Sequence, residues 1–89
     1  MPTRFIESLK DVDLSDIKIP MAVIYDHPRD FPDMYLCRIW EGAGCHPTNI
    51  ALQKSSPEKL REDILAAGFN VRFPREMGDD PVILETWIK

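Results

Sequence analysis

The stretch Ser55-Ser56-Pro57-Glu58-Lys59-Leu60-Arg61-Glu62-Asp63-Ile64-Leu65-Ala66-Ala67-Gly68-Phe69-Asn70-Val71-Arg72-Phe73-Pro74 decides the fold, because it holds a helix with both of its ends and the strand that follows. Ser56 is an N-cap type, and Pro57 then falls at the first helical position, where its missing N–H costs nothing. Leu60, Ile64 and Ala67 recur at helical spacing, and Gly68 supplies the left-handed residue that ends the run. These signals predict a helix over 57–67, with Phe69 packing back on Ile64. Phe69, Val71 and Phe73 then alternate with Asn70 and Arg72, the period of a half-buried strand, until Pro74 stops it.

Working outward, 82–88 is rich in β-formers and follows Gly78-Asp79-Asp80-Pro81, a group of turn residues, so it reads as a hairpin partner of the preceding strand. Upstream, 21–25, 35–40 and 48–53 are three further strands, separated by the loops 26–33 and 41–47. The expected class is α+β: a small mixed sheet of about five strands in βββαββ order, with one main helix on one face. Residues 1–19 form a lead-in, with Thr3 as a cap and Phe5, Ile6 and Leu9 as the apolar stripe of a short helix. At 89 residues the chain is read as one domain, since a second core would have too little to bury.

Composition narrows the function classes. Hydrophobic residues make up 44% and charged ones 29%, which is globular rather than disordered. No apolar run approaches the ~20 residues of a membrane span. The opening residues Met1-Pro2-Thr3-Arg4-Phe5-Ile6-Glu7 lack the apolar core of a secretory signal, and Cys37 and Cys45 are too few for a disulfide scaffold, so the expected compartment is the cytoplasm. The net charge is −4 and the eleven Lys and Arg are scattered, which disfavours nucleic acid as a partner.

The topology constrains every chemical motif. A helix of about 11 residues is about 16 Å long and its joins to the strands are short, so it runs back along the sheet and the strands flanking it are parallel. The 26–33 loop, the 74–81 loop and the helix N-terminus then share one end of the sheet, and the 41–47 loop lies at the other. A metal site built from His27, Cys37, Cys45 and His46 would span that sheet, roughly 20 Å, whereas zinc ligands lie about 2 Å from one ion. Asp11, Asp13 and Ser15 begin like a calcium loop, but Asp16 stands where glycine is required. Gly42-Ala43-Gly44 opens no helix and has Pro47 where the dinucleotide fingerprint needs glycine, so no cofactor and no metal is expected.

Two candidate sites remain. His27, flanked by Asp26, Arg29, Asp30 and Asp33, faces Arg75, Glu76, Asp79 and Asp80 across one end of the sheet. These are acid and base types, so His27 is the candidate for proton transfer and Arg29 and Arg75 are candidates for holding a ligand. The other candidate is the sheet face away from the helix. Alternation assigns Val23, Tyr25, Tyr35, Cys37, Ile39, Ile50, Leu52, Phe69, Val71, Phe73, Val82 and Leu84 to the helix side. It leaves Ala22, Ile24, Leu36, Trp40, Ile83 and Trp87 on the other, with Arg38 and Glu85 as a cross-strand pair. That face is too apolar for water, so either residues 1–19 fold over it or Leu36, Trp40, Ile83 and Trp87 form an interface in a homodimer or with a protein partner. The leading expectation is a noncatalytic protein-binding or homo-oligomerisation module. The alternative is a small enzyme or ligand-binding protein using the end around His27 and Arg75.

Overall fold

The computed structural model describes residues 3–29, 31–75 and 82–89. Among the described residues the chain forms a six-stranded mixed sheet with one α-helix on one face. The strands are β1 (Arg4–Phe5), β2 (Pro20–Asp26), β3 (Tyr35–Glu41), β4 (His46–Lys54), β5 (Val71–Pro74) and β6 (Ile83–Ile88), and α1 spans Pro57–Ala66. Their order across the sheet is β1-β4-β3-β2-β6-β5. β2, β3 and β4 are successive antiparallel neighbours, β6 pairs antiparallel with both β2 and β5, and β1 runs parallel to β4. The strands on either side of α1 are therefore parallel, and the sheet is the expected one with an added edge strand.

The ends of α1 follow from its sequence. Ser56 has extended backbone angles and its hydroxyl accepts from Lys59 N–H. Gly68 sits at φ +98°, its N–H donates to Leu65 O at 3.0 Å, and Phe69 N–H donates to Ile64 O at 3.2 Å. That pair of bonds is the Schellman ending, which satisfies carbonyls the helix cannot. Phe69 is fully buried with Leu60 and Ile64, but it precedes the strand rather than opening it.

The core lies between α1 and the sheet. Leu60 and Ile64 meet Ala22 and Ile24 of β2, Cys37 and Ile39 of β3, Leu52 of β4, and Trp87 of β6. This corrects the phase expected for β2. Ala22 and Ile24 face the helix, and Val23 and Tyr25, which stand opposite Arg38 and Leu36, face away. β5 is inverted as well: Val71 and Phe73 are exposed, 41% and 44%, whereas Arg72 lies opposite Trp87 on the helix side. One residue of slip exchanges the two faces of a strand, and in β2 the run Met21-Ala22-Val23-Ile24 is apolar enough to suit either.

Residues 1–19 also depart from expectation. Instead of starting with a helix, the segment adds β1 to the sheet edge and then makes a 3₁₀ turn at Leu9–Asp11 capped by Ser8. Ser8 Oγ and the Leu9 N–H both donate to the carboxylate of Asp63 on α1, at 2.5 and 2.8 Å. Ile6, Leu9, Leu14 and Ile17 accordingly join the core beside α1, on the helix side of the sheet. Phe5, in register with Ala51, lies on the opposite face, where Thr3 accepts from Arg38.

Candidate functional site

The face away from α1 is the sequence's interface candidate, and the structure divides it into two halves. Over β2, β3 and β4 the loop after β2 folds back, bringing Phe31 edge-on against Phe5 with ring centroids 5.1 Å apart. Under this flap lies an open cleft of about 230 Å³ lined by Tyr25, Pro28, Phe31, Leu36, Arg38, Trp40 and Pro47. Trp40 Nε1–H donates to the Tyr25 hydroxyl at 3.0 Å, which fixes the indole along the cleft wall. Arg38 donates to Thr48 O at 2.9 Å and to Thr3 Oγ1 at 3.1 Å, both neutral acceptors. Over β5 and β6 no such flap is found among the described residues, and Val71 and Phe73 stand open opposite the half-buried Ile88 and Thr86.

Of the four interface candidates, Leu36, Trp40 and Ile83 lie on this face and Trp87 does not. Trp87 is 7% exposed within the core, and its neighbour Glu85 is buried at 1%. The expected Arg38–Glu85 pair is therefore not formed, since the sheet separates the two residues. Glu85 is held instead by Arg61 of α1 at 2.7 Å, by Arg72 of β5 at 3.4 Å and by the indole N–H of Trp87 at 2.6 Å. Burial pushes the Glu85 carboxyl up, but the Arg61 and Trp87 hydrogen bonds and the two guanidinium charges outweigh it and hold the carboxyl below its ordinary value. Sequence reading missed this cluster, because a glutamate in an apolar strand gives no sign of partners 24 and 13 residues away.

The loop end gives less. His27 is at φ +48°, its Nδ1 lies 2.5 Å from the carboxylate of adjacent Asp26, and its ring sits 4.6 Å from that of Tyr35. The side chains of His27 and Asp26 are 45% and 43% exposed, so this pair is solvated. Arg29 and Arg75 are both exposed. Asp30, Glu76, Asp79 and Asp80, the acidic groups expected around His27, and the turn at 78–81 lie outside the described residues.

Cys37 is buried and Cys45 exposed, both as free thiols, with Cys45 at φ +53°. Burial, with a smaller contribution from the charge of Asp63, pushes the Cys37 thiol up, away from reactivity. Among the described residues no three His, Cys, Asp or Glu side chains converge, and no helix is long and apolar enough to cross a membrane. At the opposite end of the sheet, Glu41 accepts the backbone N–H groups of Lys18, Ile19 and Ala43 at 2.8, 2.9 and 3.2 Å. Those bonds hold its carboxyl below the usual range and clamp the lead-in against the 42–45 turn.

Comparison with protein-family models, with curated proteins and with solved structures returns no match for this chain.

Proposed function

We propose that the chain is a small noncatalytic module that associates with protein, a second copy of itself foremost, through the sheet face opposite α1. The observation that carries this reading is the exposure of Val71 and Phe73 side by side on the outward face of β5, opposite Ile88 and Thr86 of β6. Of the other candidate cover, Ile6, Leu9, Leu14 and Ile17 pack on the helix side, and Phe5 and Thr3 reach the outward face only beside β4. A twofold contact lets each copy offer the same patch to the other and leaves no apolar surface to propagate a filament. The edge of β5 is a poorer contact than its face: it is four residues long and ends in Pro74, which has no N–H to donate. Trp40 and Leu36 extend the same face towards β3.

The catalytic alternative has less behind it, because His27 is half exposed and partnered by its own neighbour. The scattered basic residues and the charge of −4 argue for a protein partner rather than nucleic acid. The two free thiols suit a reducing compartment such as the cytosol.

Sedimentation velocity over a micromolar concentration series tests the reading. The wild type should shift towards dimer as concentration rises, and a Val71→Glu, Phe73→Glu double variant should stay monomeric. Both side chains are exposed in the single chain, so the variant should keep its fold. A wild type that is monomeric throughout would remove self-association.

A further inference from the structure

We propose that the cleft over β2, β3 and β4 is a binding site for a small apolar carboxylate, an arylalkanoic acid in class, with the acid group on Arg38 and the ring against Trp40, Leu36 and Phe31. The site lies on the half of the face away from Val71 and Phe73 and shares Leu36 and Trp40 with the proposed contact, so ligand binding and dimer release are measured apart.

The charge at the cleft floor selects the ligand. Arg61 and Arg72 share the Glu85 carboxylate, whereas the part-buried Arg38 bonds only a backbone carbonyl and a hydroxyl. Two donors of a guanidinium are occupied by those bonds, and a guanidinium has five, so donors remain for an acceptor. Among the described residues no carboxylate pairs with Arg38, and such a cation at the edge of an apolar cleft is a strong attractor for an anion, a carboxylate matching the guanidinium fork. One guanidinium matches one negative charge, and the net charge of −4 disfavours polyanions such as phosphate esters.

The walls select the rest of the molecule. Trp40 has its only donor committed to Tyr25, so the ring offers the cleft an apolar surface, continued by Leu36, Phe31 and Pro28. The volume of about 230 Å³ is below the ~300–1,000 Å³ of drug-sized pockets, which suits one ring on a short acid arm. Few polar groups in a mostly apolar concavity is the usual make-up of a small-molecule site.

The probe is 4-phenylbutyrate, with its neutral amide 4-phenylbutanamide as the control, titrated into the wild-type chain and followed by ¹H–¹⁵N NMR. The acid should move the Trp40 indole and Arg38 side-chain signals and bind about tenfold or more tightly than the amide. Arg38→Gln should bring the acid down to the amide's affinity, while Phe31→Ala should weaken both alike. If Arg38→Gln does not fold, the acid–amide comparison on the wild type decides alone. Equal affinities, shifts that map away from the cleft, or no binding of either probe would overturn the proposal. Release of a wild-type dimer as the acid is added would make the second copy the occupant, and would overturn it too.

Discussion

The indole N–H of Trp87 donates to the carboxylate of Glu85, two residues earlier on the same strand, at 2.6 Å. Residues two apart on a strand share a face, so the buried tryptophan and the buried acid enter the core together. Arg61 from α1 and Arg72 from β5 close over the carboxylate, and three elements are joined at one side chain.

Glu85→Gln should therefore lower stability at neutral pH by about 1–2 kcal/mol, through the lost charge-assisted bonds; Arg61 keeps Glu58 at 3.8 Å and both guanidinium groups reach solvent. The folded carboxyl titrates below its ordinary value, so the unfolded chain takes up the proton first as pH falls. The wild type should hold this contribution above about pH 4.3 and lose it progressively as pH drops towards the folded value. Urea unfolding between neutral and acid pH should show the wild-type and variant curves converging on the acid side. Parallel curves would remove Glu85 from the acid limb.

The two tryptophans should separate in the same assay. Trp87→Phe removes the donor to a buried carboxylate and should cost about 1–3 kcal/mol. Trp40→Phe removes a hydrogen bond to Tyr25 at a half-buried site and should cost about 1 kcal/mol or less. A larger loss at Trp40 would reverse the assignment of the two faces.

At Gly68, φ is +98° and an added Cβ would meet only the far end of Lys89 at 3.9 Å. Space is free, so the cost of a side chain is backbone strain alone. Gly68→Ala should lose about 1 kcal/mol, and Gly68→Val that or more, in equilibrium unfolding. A neutral Gly68→Val would contradict the left-handed ending of α1.

Thiol labelling of the native protein should modify Cys45 at once and Cys37 only as fast as the core opens. In denaturant the two should react alike. Early modification of Cys37 would place it outside the core.

Much of the fold was legible because its signals are local. Ser56, Pro57 and Gly68 mark the ends of α1 within a dozen residues, and the three-strand meander follows from alternation and turn-forming loops. The phase of β2 was not legible, since Ala22, Val23 and Ile24 are apolar in succession and neither face is excluded. β5 misled for the opposite reason: Val71 and Phe73 look like core residues, yet the side chain that fills the core there is Phe69, before the strand begins. Arg72 and Glu85 could not be matched in advance, because their meeting depends on strand register rather than on chain neighbourhood. Nor could β1, whose two residues carry no period and pair with β4 some 46 positions away. On the outward face, Leu36 and Trp40 follow from alternation, whereas Ile83 reaches it through the register shift beside Tyr25, and the flap carrying Phe31 was not legible, because a loop's path has no periodicity to read.

β2 lies between β3, its neighbour in the chain, and β6, whose Ile88 stands opposite Met21. On the ribosome, β2, β3 and β4 emerge as a meander well before β6 exists, and until then β2 is a rim with its backbone groups unsatisfied. Ala22, Val23 and Ile24 stand on that rim, a short apolar tract suited to pairing with a strand from another chain. The nascent protein thus has a vulnerable interval, whose length is set by the time taken to synthesise and dock residues 57–88.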